Sequence, residues 1–287
     1  MSTHALSPLV DTNWLAAHLG EAALRIFDCS VTLVPTDGGV RPESGRAAWA
    51  AGHIPGSAFA DLIADLSDGC SPLPFMMPPA AKFAEVMGRY GVGAGTRVVL
   101  YDSGGHMWAT RAWWMLRAMG FDDAAVLDGG LKKWTAEGRP LAIEAARYPA
   151  TEFVPRPRPD LFVAKQAVRD SLGASGVCML NALSADEHAG RSSRTPRPGR
   201  IPGSGNVPAT SLIDPVTGAY RPLEALREKF REAGALDGRR VVTYCGGGIA
   251  ATSAAFALVR LGVPQVAVYD GSMVEWSSDP SLPMETG

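Results

Sequence analysis

The stretch RRVVTYCGGGIAATSAAFALVRLG, residues 239–262, sets a short apolar run, a cysteine, three glycines and a small-residue segment end to end. An apolar run of that length reads as a buried strand, and the alanine-rich segment that stops at a glycine reads as a helix. Cys245 therefore sits at a strand–turn–helix junction. Three readings of the junction compete. It is a nucleotide-binding turn, a tight turn that happens to carry a thiol, or a cradle built around a reactive thiolate.

The rest of the chain repeats this unit. VVTYCGGGIAATS (Val241–Ser253) matches VVLYDSGGHMWAT (Val98–Thr110), GRIPGS (Gly199–Ser204) matches GHIPGS (Gly52–Ser57), and VYDGSMVEW (Val268–Trp276) matches VLDGGLKKW (Val126–Trp134). The three pairs keep their order and nearly the same separation, far longer than a solenoid period, so the chain is a duplicated domain. In the first half LRIFDCS, TRVVLYD and AAVLDGG are the strand-like runs, with AKFAEVMGRYG and ATRAWWMLRAMG as helices. In the second, GVCMLNA, RRVVTYC and QVAVYDG are the strands, with LEALREKFREAG and AATSAAFALVRLG as helices. Apolar strands separated by helices predict an α/β fold, each half a mostly parallel sheet flanked by helices. The expected domains are residues 5–146 and 161–287. Residues 147–160, with prolines at 149, 155, 157 and 159, read as an extended, stiff linker.

Composition excludes several classes. At 287 residues, 46% hydrophobic and 20% charged, the chain has the balance of a soluble globular protein. A net charge of −2 gives no basic excess for nucleic acid or an anionic membrane. The N-terminal residues lack the basic segment and apolar core of a secretion signal, and no apolar run reaches the roughly 18–20 residues of a membrane span. Cys29, Cys70, Cys178 and Cys245 show no CxxC spacing, which predicts reduced thiols in the cytoplasm and no zinc site. Cys29 and Cys178 lie in strand-like segments and read as small core hydrophobes, and Cys70 as an incidental exposed thiol.

Gly246, Gly248 and Ala251 fit G-x-G-x-x-A after a strand, and Asp270 ends the next strand, as a dinucleotide fingerprint asks. Against that, the sequence ends at Gly287, too soon for a second mononucleotide half, and the first-half turn lacks the spacing. The bland reading is a buried thiol beside glycines that any tight strand-to-helix turn needs. The cradle reading rests on position. Cys245 follows a parallel strand at its carboxyl end, where open α/β sheets place ligands. Gly246, Gly247 and Gly248 let successive N–H groups turn inward, and the helix near Ala250 adds its positive end. Such surroundings favour the thiolate, the nucleophilic form of cysteine.

At these residues the chain resembles the tandem-domain rhodanese-like sulfurtransferases, from about Ala5 to Gly287, through HIPGS/RIPGS, RAWWMLRAMG, LDGGLKKW/YDGSMVEW and YCGGGIAA. The resemblance implies a catalytic second domain and an inactive first one, in which Asp102 occupies the place of Cys245. It carries the family's active loop onto Cys245, Gly246, Gly247, Gly248, Ile249 and Ala250. It also implies ping-pong chemistry: the thiolate takes the outer sulfur of a donor, forms a persulfide, and passes the sulfur to a thiol or cyanide. No metal or organic cofactor is implied. Cysteine phosphatases use a similar cradle but need Cys-x5-Arg, and Ala251 stands where that arginine would.

The sequence also departs from the family. Its loop has no basic residue, and Gly247 replaces the serine of the Cys-Gly-Ser-Gly-type loop of 3-mercaptopyruvate sulfurtransferases. The Asp-x-Arg that those enzymes carry after the first strand of the second domain is here Asn181 and Leu183, and Glu187 stands near the place of a further arginine. Arg191, Arg194, Arg197 and Arg200 are the candidate replacements, the alternative being a solvated basic loop. His53, from HIPG, is either a proton-transfer group or a residue that orients its turn. The competing functional class is a binding or carrier protein that holds a persulfide without turnover.

Overall fold

The structure, a computed structural model, describes residues 6–37 and 39–287; Ala5, the expected start of the first domain, lies outside them. The chain forms two compact units. The first comprises the chain through Cys70, Met77–Arg158 and Pro215–Ala219, and the second comprises Ser71–Met76, Pro159–Asp214 and Tyr220–Gly287.

The first unit contains strands β1 (Leu9–Val10), β2 (Leu24–Asp28), β3 (Val31–Thr36), β4 (Gly39–Ser44), β5 (Ser57–Phe59), β6 (Arg97–Tyr101) and β7 (Ala124–Leu127). Five of them form a sheet in the order β1–β7–β6–β2–β5, parallel throughout. The second unit contains β8 (Phe162–Val163), β9 (Val177–Asn181), β10 (Gly205–Asn206), β11 (Arg240–Tyr244) and β12 (Val266–Tyr269). Their order, β8–β12–β11–β9–β10, is the same and again parallel. Strands β6 and β11 are buried at every residue after the first, so both faces of each sheet are covered, which is why their sequences run apolar rather than alternate. The antiparallel hairpin β3–β4 belongs to the first unit alone.

The repeated motifs turn out to be fold-bearing. In the first unit the Tyr101 hydroxyl meets Ser57 Oγ at 2.8 Å and accepts the Ile54 N–H. In the second, Tyr244 meets Ser204 Oγ at 2.5 Å and accepts the Ile201 N–H. The indoles of Trp134 and Trp276 are buried and donate to the carbonyls of Pro140 and Pro283. Each unit thus fixes its I-P-G-S turn to the central strand and its tryptophan helix to a following proline segment, satisfying polar atoms that burial would otherwise penalise.

Of the segment read as a linker, residues 147–158 form neither helix nor strand and pack on the first unit, while Pro159 and Asp160 enter a short 3-10 turn, Pro159–Leu161. The Tyr148 hydroxyl donates to Gly56 O and accepts from Ile26 N–H. Thr151 and Arg156 donate their N–H groups to Gly88 O and Met119 O, and Phe153 is buried against Phe83. The change of unit falls at Pro159. No helix among the described residues is long and apolar enough to cross a membrane.

Candidate active site

Cys245 follows β11, the central strand of the second unit, flanked by β9 and β12, and the helix Ala250–Arg260 begins just after its loop. The cysteine is 2% exposed and in no disulfide. The carbonyls of Cys245 and Gly246 are engaged by the N–H groups of Met273 and Val274 at 3.0 and 2.8 Å. The N–H groups of Cys245 and Gly248 both donate to Ser272 Oγ at 3.1 Å, and that hydroxyl donates to Tyr269 O. The N–H groups of Gly247, Ile249 and Ala251 have no protein acceptor among the described residues. Two loop carbonyls are thus tied back while three loop N–H groups are left open, the backbone pattern of an anion-binding turn.

The first unit shows what such a loop does with an anion. There the loop closes on Asp102, fully buried. Oδ1 accepts the N–H groups of Gly104, Gly105 and His106, and Oδ2 those of Trp108 and Ala109, all at 3.0–3.1 Å. Five backbone N–H groups thus converge on one buried side chain and replace its hydration. The two loops reach this end differently: Gly104 and His106 have positive φ in the first, Gly248 alone (φ 73°) in the second.

That corrects one expectation about the glycines. Of Gly246, Gly247 and Gly248, only Gly248 uses the left-handed conformation. A Cβ on Gly247 would meet nothing within 4 Å, so its glycine is required neither by angle nor by space. Ile249 is buried and Ala250 opens the helix.

Ser272 borders the loop although no motif singled it out, and Asn181, read only as standing where the family has aspartate, lies beside it. Ser272 is fully buried at φ 49°, a conformation rare for a residue with a Cβ. The signal was in the repeat, where DGG of the first half becomes DGS in the second. Asn181 ends β9, and its Oδ1 accepts the Leu183 N–H at 2.7 Å. Leu183 in turn overlooks the loop, its Cδ2 4.0 Å from where a Cβ on Gly246 would stand.

The four candidate arginines do not converge on the sulfur as free cations. Arg197 donates to the carbonyls of Trp276, Ser277, Asp279 and Leu282, and Arg200 to those of His188 and Gly287 and to Glu285. Arg191 pairs with Asp186 at 2.6 Å and Arg194 with Glu187 at 2.9 Å. Burial works against the Glu187 carboxylate, yet the hydrogen bonds from Arg194 and Ser184 outweigh it and hold its pKa below the usual carboxylate range. The hydrogen bond to Glu187 holds Arg194 above the usual arginine value. His53 lies in the first unit, fully buried and stacked on Trp49, with ring nitrogens 2.8 and 3.1 Å from the carbonyls of Trp49 and Glu144.

Two segments, residues 11–137 and 179–279, match the rhodanese-like domain. The chain belongs to the rhodanese-like family. It is 34% identical to the 3-mercaptopyruvate sulfurtransferase of Escherichia coli (strain K12) over 96% of this chain and 97% of that one. It is 33% identical to the thiosulfate sulfurtransferase of Gallus gallus over 93% of this chain and 92% of that one. Among solved structures it matches SseA from Escherichia coli, of the 3-mercaptopyruvate sulfotransferases and the "rhodanese" fold. That match has a TM-score of 0.82 and 31% identity, covering 93% of this chain and 99% of the other. The duplication is therefore a tandem pair of rhodanese-like domains, and the α/β architecture with parallel sheets is that of the family.

Proposed function

We propose that this rhodanese-like protein is a sulfurtransferase whose Cys245 thiolate takes sulfur from a small-molecule donor of the thiosulfate or 3-mercaptopyruvate type. The persulfide then passes its outer sulfur to a thiol or to cyanide. With thiosulfate, the S–S bond breaks as the Cys245 S–S bond forms, and sulfite leaves with the electron pair. The observation that carries this reading is the open set of N–H donors in the loop that begins at Cys245, in the place where the other unit cages a carboxylate. Those donors stabilise the attacking thiolate and, after transfer, the terminal sulfur of the persulfide. The sulfurtransferase relatives, matched over nearly their whole length, support the reaction class. We place the protein in the cytoplasm, in keeping with cysteines that are all free.

The burial of Cys245 and the engagement of the arginines also fit a carrier that accepts one sulfur and does not turn over. Steady-state cyanolysis separates the two. An enzyme forms thiocyanate in large molar excess over protein, and Cys245→Ser forms none; a carrier stops after one equivalent. Undiminished turnover by Cys245→Ser would refute both readings.

A further inference from the structure

The loop carries no charged side chain, so what overhangs it decides which donor approaches. We propose that Leu183 is a specificity-determining residue of the Cys245 site, selecting a donor with an apolar carrier group, an organic hydropersulfide R–S–SH, over a small dianion such as thiosulfate. This rests on the proposed role of Cys245 and puts an organic hydropersulfide in place of the thiosulfate-type donor named above.

Leu183 is fixed in place. Its N–H donates to Asn181 Oδ1 at 2.7 Å, and its carbonyl accepts Asn206 Nδ2 at 2.9 Å. Asn206 Nδ2 also donates to the Asn181 carbonyl, so the turn after β9 is clamped from both sides. The half-buried side chain packs against the cluster that includes Met179, Tyr244 and Trp276 and reaches to the edge of Gly246. A dianion drawn to Cys245 past this wall loses hydration and gains no cation from Leu183. Nor do Arg194, Arg197 and Arg200 of the neighbouring segment release a cation cheaply; only Arg191, in an exposed pair with Asp186, is held weakly. Moving Arg194 onto a donor would strand Glu187, whose side chain is 10% exposed. Arg197 and Arg200 are committed to carbonyls, which would then lose their donors. A hydropersulfide instead buries its carrier group against Leu183 and presents its outer sulfur to the thiolate. The step balances as Cys245–S⁻ + R–S–SH → Cys245–S–SH + R–S⁻: one S–S bond forms, one breaks, and the electron pair leaves on R–S⁻.

The test compares cyanolysis with benzyl hydropersulfide and with thiosulfate in wild type, Leu183→Arg and Leu183→Gln, with sulfur on Cys245 read by intact mass. Wild type should show kcat/KM for the hydropersulfide at least about tenfold above that for thiosulfate. Leu183→Arg should lower that ratio by about tenfold or more, raising thiosulfate use as it lowers hydropersulfide use, because a buried apolar contact is exchanged for a charge. Leu183→Gln, which removes apolarity without adding charge, should fall between the two. A wild type that prefers thiosulfate, or ratios that stay within about twofold in both variants while Cys245 still loads, would overturn the role of Leu183 alone. Failure of every donor to load Cys245 would overturn the sulfur-transfer reading and this one with it.

Discussion

Ser272 bears the largest local burden in the site. Its hydroxyl gathers the N–H groups of the first and fourth loop residues, and its backbone holds a strained φ that Gly130 adopts freely in the first unit. Losing the hydroxyl frees two N–H groups and loosens the loop around Cys245. Each such bond is worth about 0.5–1.5 kcal/mol, so Ser272→Ala and Ser272→Gly should each lower kcat of sulfur transfer by about tenfold. Glycine should melt no lower than alanine, because it relieves the φ of 49°. Stopped-flow loading of Cys245 reads the first effect and thermal unfolding the second. A kcat within about twofold of wild type in both variants would make the hydroxyl purely structural. The special angle of Gly248 was not legible beforehand, since a run of three glycines does not reveal which one turns left-handed, and Ser272 was marked only by the change from DGG to DGS in the repeat. Cys245 was legible because a thiol after a buried strand and before a helix is placed by chain order alone.

Strands β2 and β9 hold equivalent places in the two sheets, and their last side chains, Asp28 and Asn181, differ by one heavy atom. Asp28 Oδ1 accepts the Ser30 N–H as Asn181 Oδ1 accepts that of Leu183. Burial raises the Asp28 pKa to about 6, with Asp102 adding to the rise and the Ser30 hydrogen bonds opposing it. The folded state therefore holds the Asp28 proton more tightly than the unfolded chain. Stability from this group is full below about pH 4, falls as pH rises to about 6, and stays low above it. Asp28→Asn, which copies the second unit, should be more stable than wild type by about 2–3 kcal/mol at pH 8 and lose that advantage toward pH 4. Urea unfolding at pH 8 and pH 5 checks it; an advantage independent of pH would contradict the assignment. The long strands and helices were readable because their apolar runs exceed chance. The two-residue strands β1, β8 and β10 were not, being defined only by their neighbours in the sheet. The β3–β4 hairpin was missed because its faces are mostly exposed and Pro35 and Pro42 interrupt it, so it lacks the alternation that marks a half-buried strand.

Across the whole chain, what the two halves share holds the fold, and what they do not share falls at the proposed site. The tyrosine–serine pairs, the buried tryptophans and the strand order recur in both units. Asp102 against Cys245, His106 against Ile249 and Gly130 against Ser272 do not. The repeat could be read from sequence because its motifs are contiguous. The engagement of the four arginines could not, because their partners include carbonyls some eighty residues away. Cys245 alone among the four thiols is proposed to handle sulfur. Peptide-mapped mass spectrometry after brief exposure to a donor tests this most directly. The result predicted is an adduct of ~32 Da, one sulfur, confined to the peptide containing Cys245 and absent in Cys245→Ser. Sulfur stably carried on Cys29, Cys70 or Cys178, or an adduct that persists in Cys245→Ser, would contradict it.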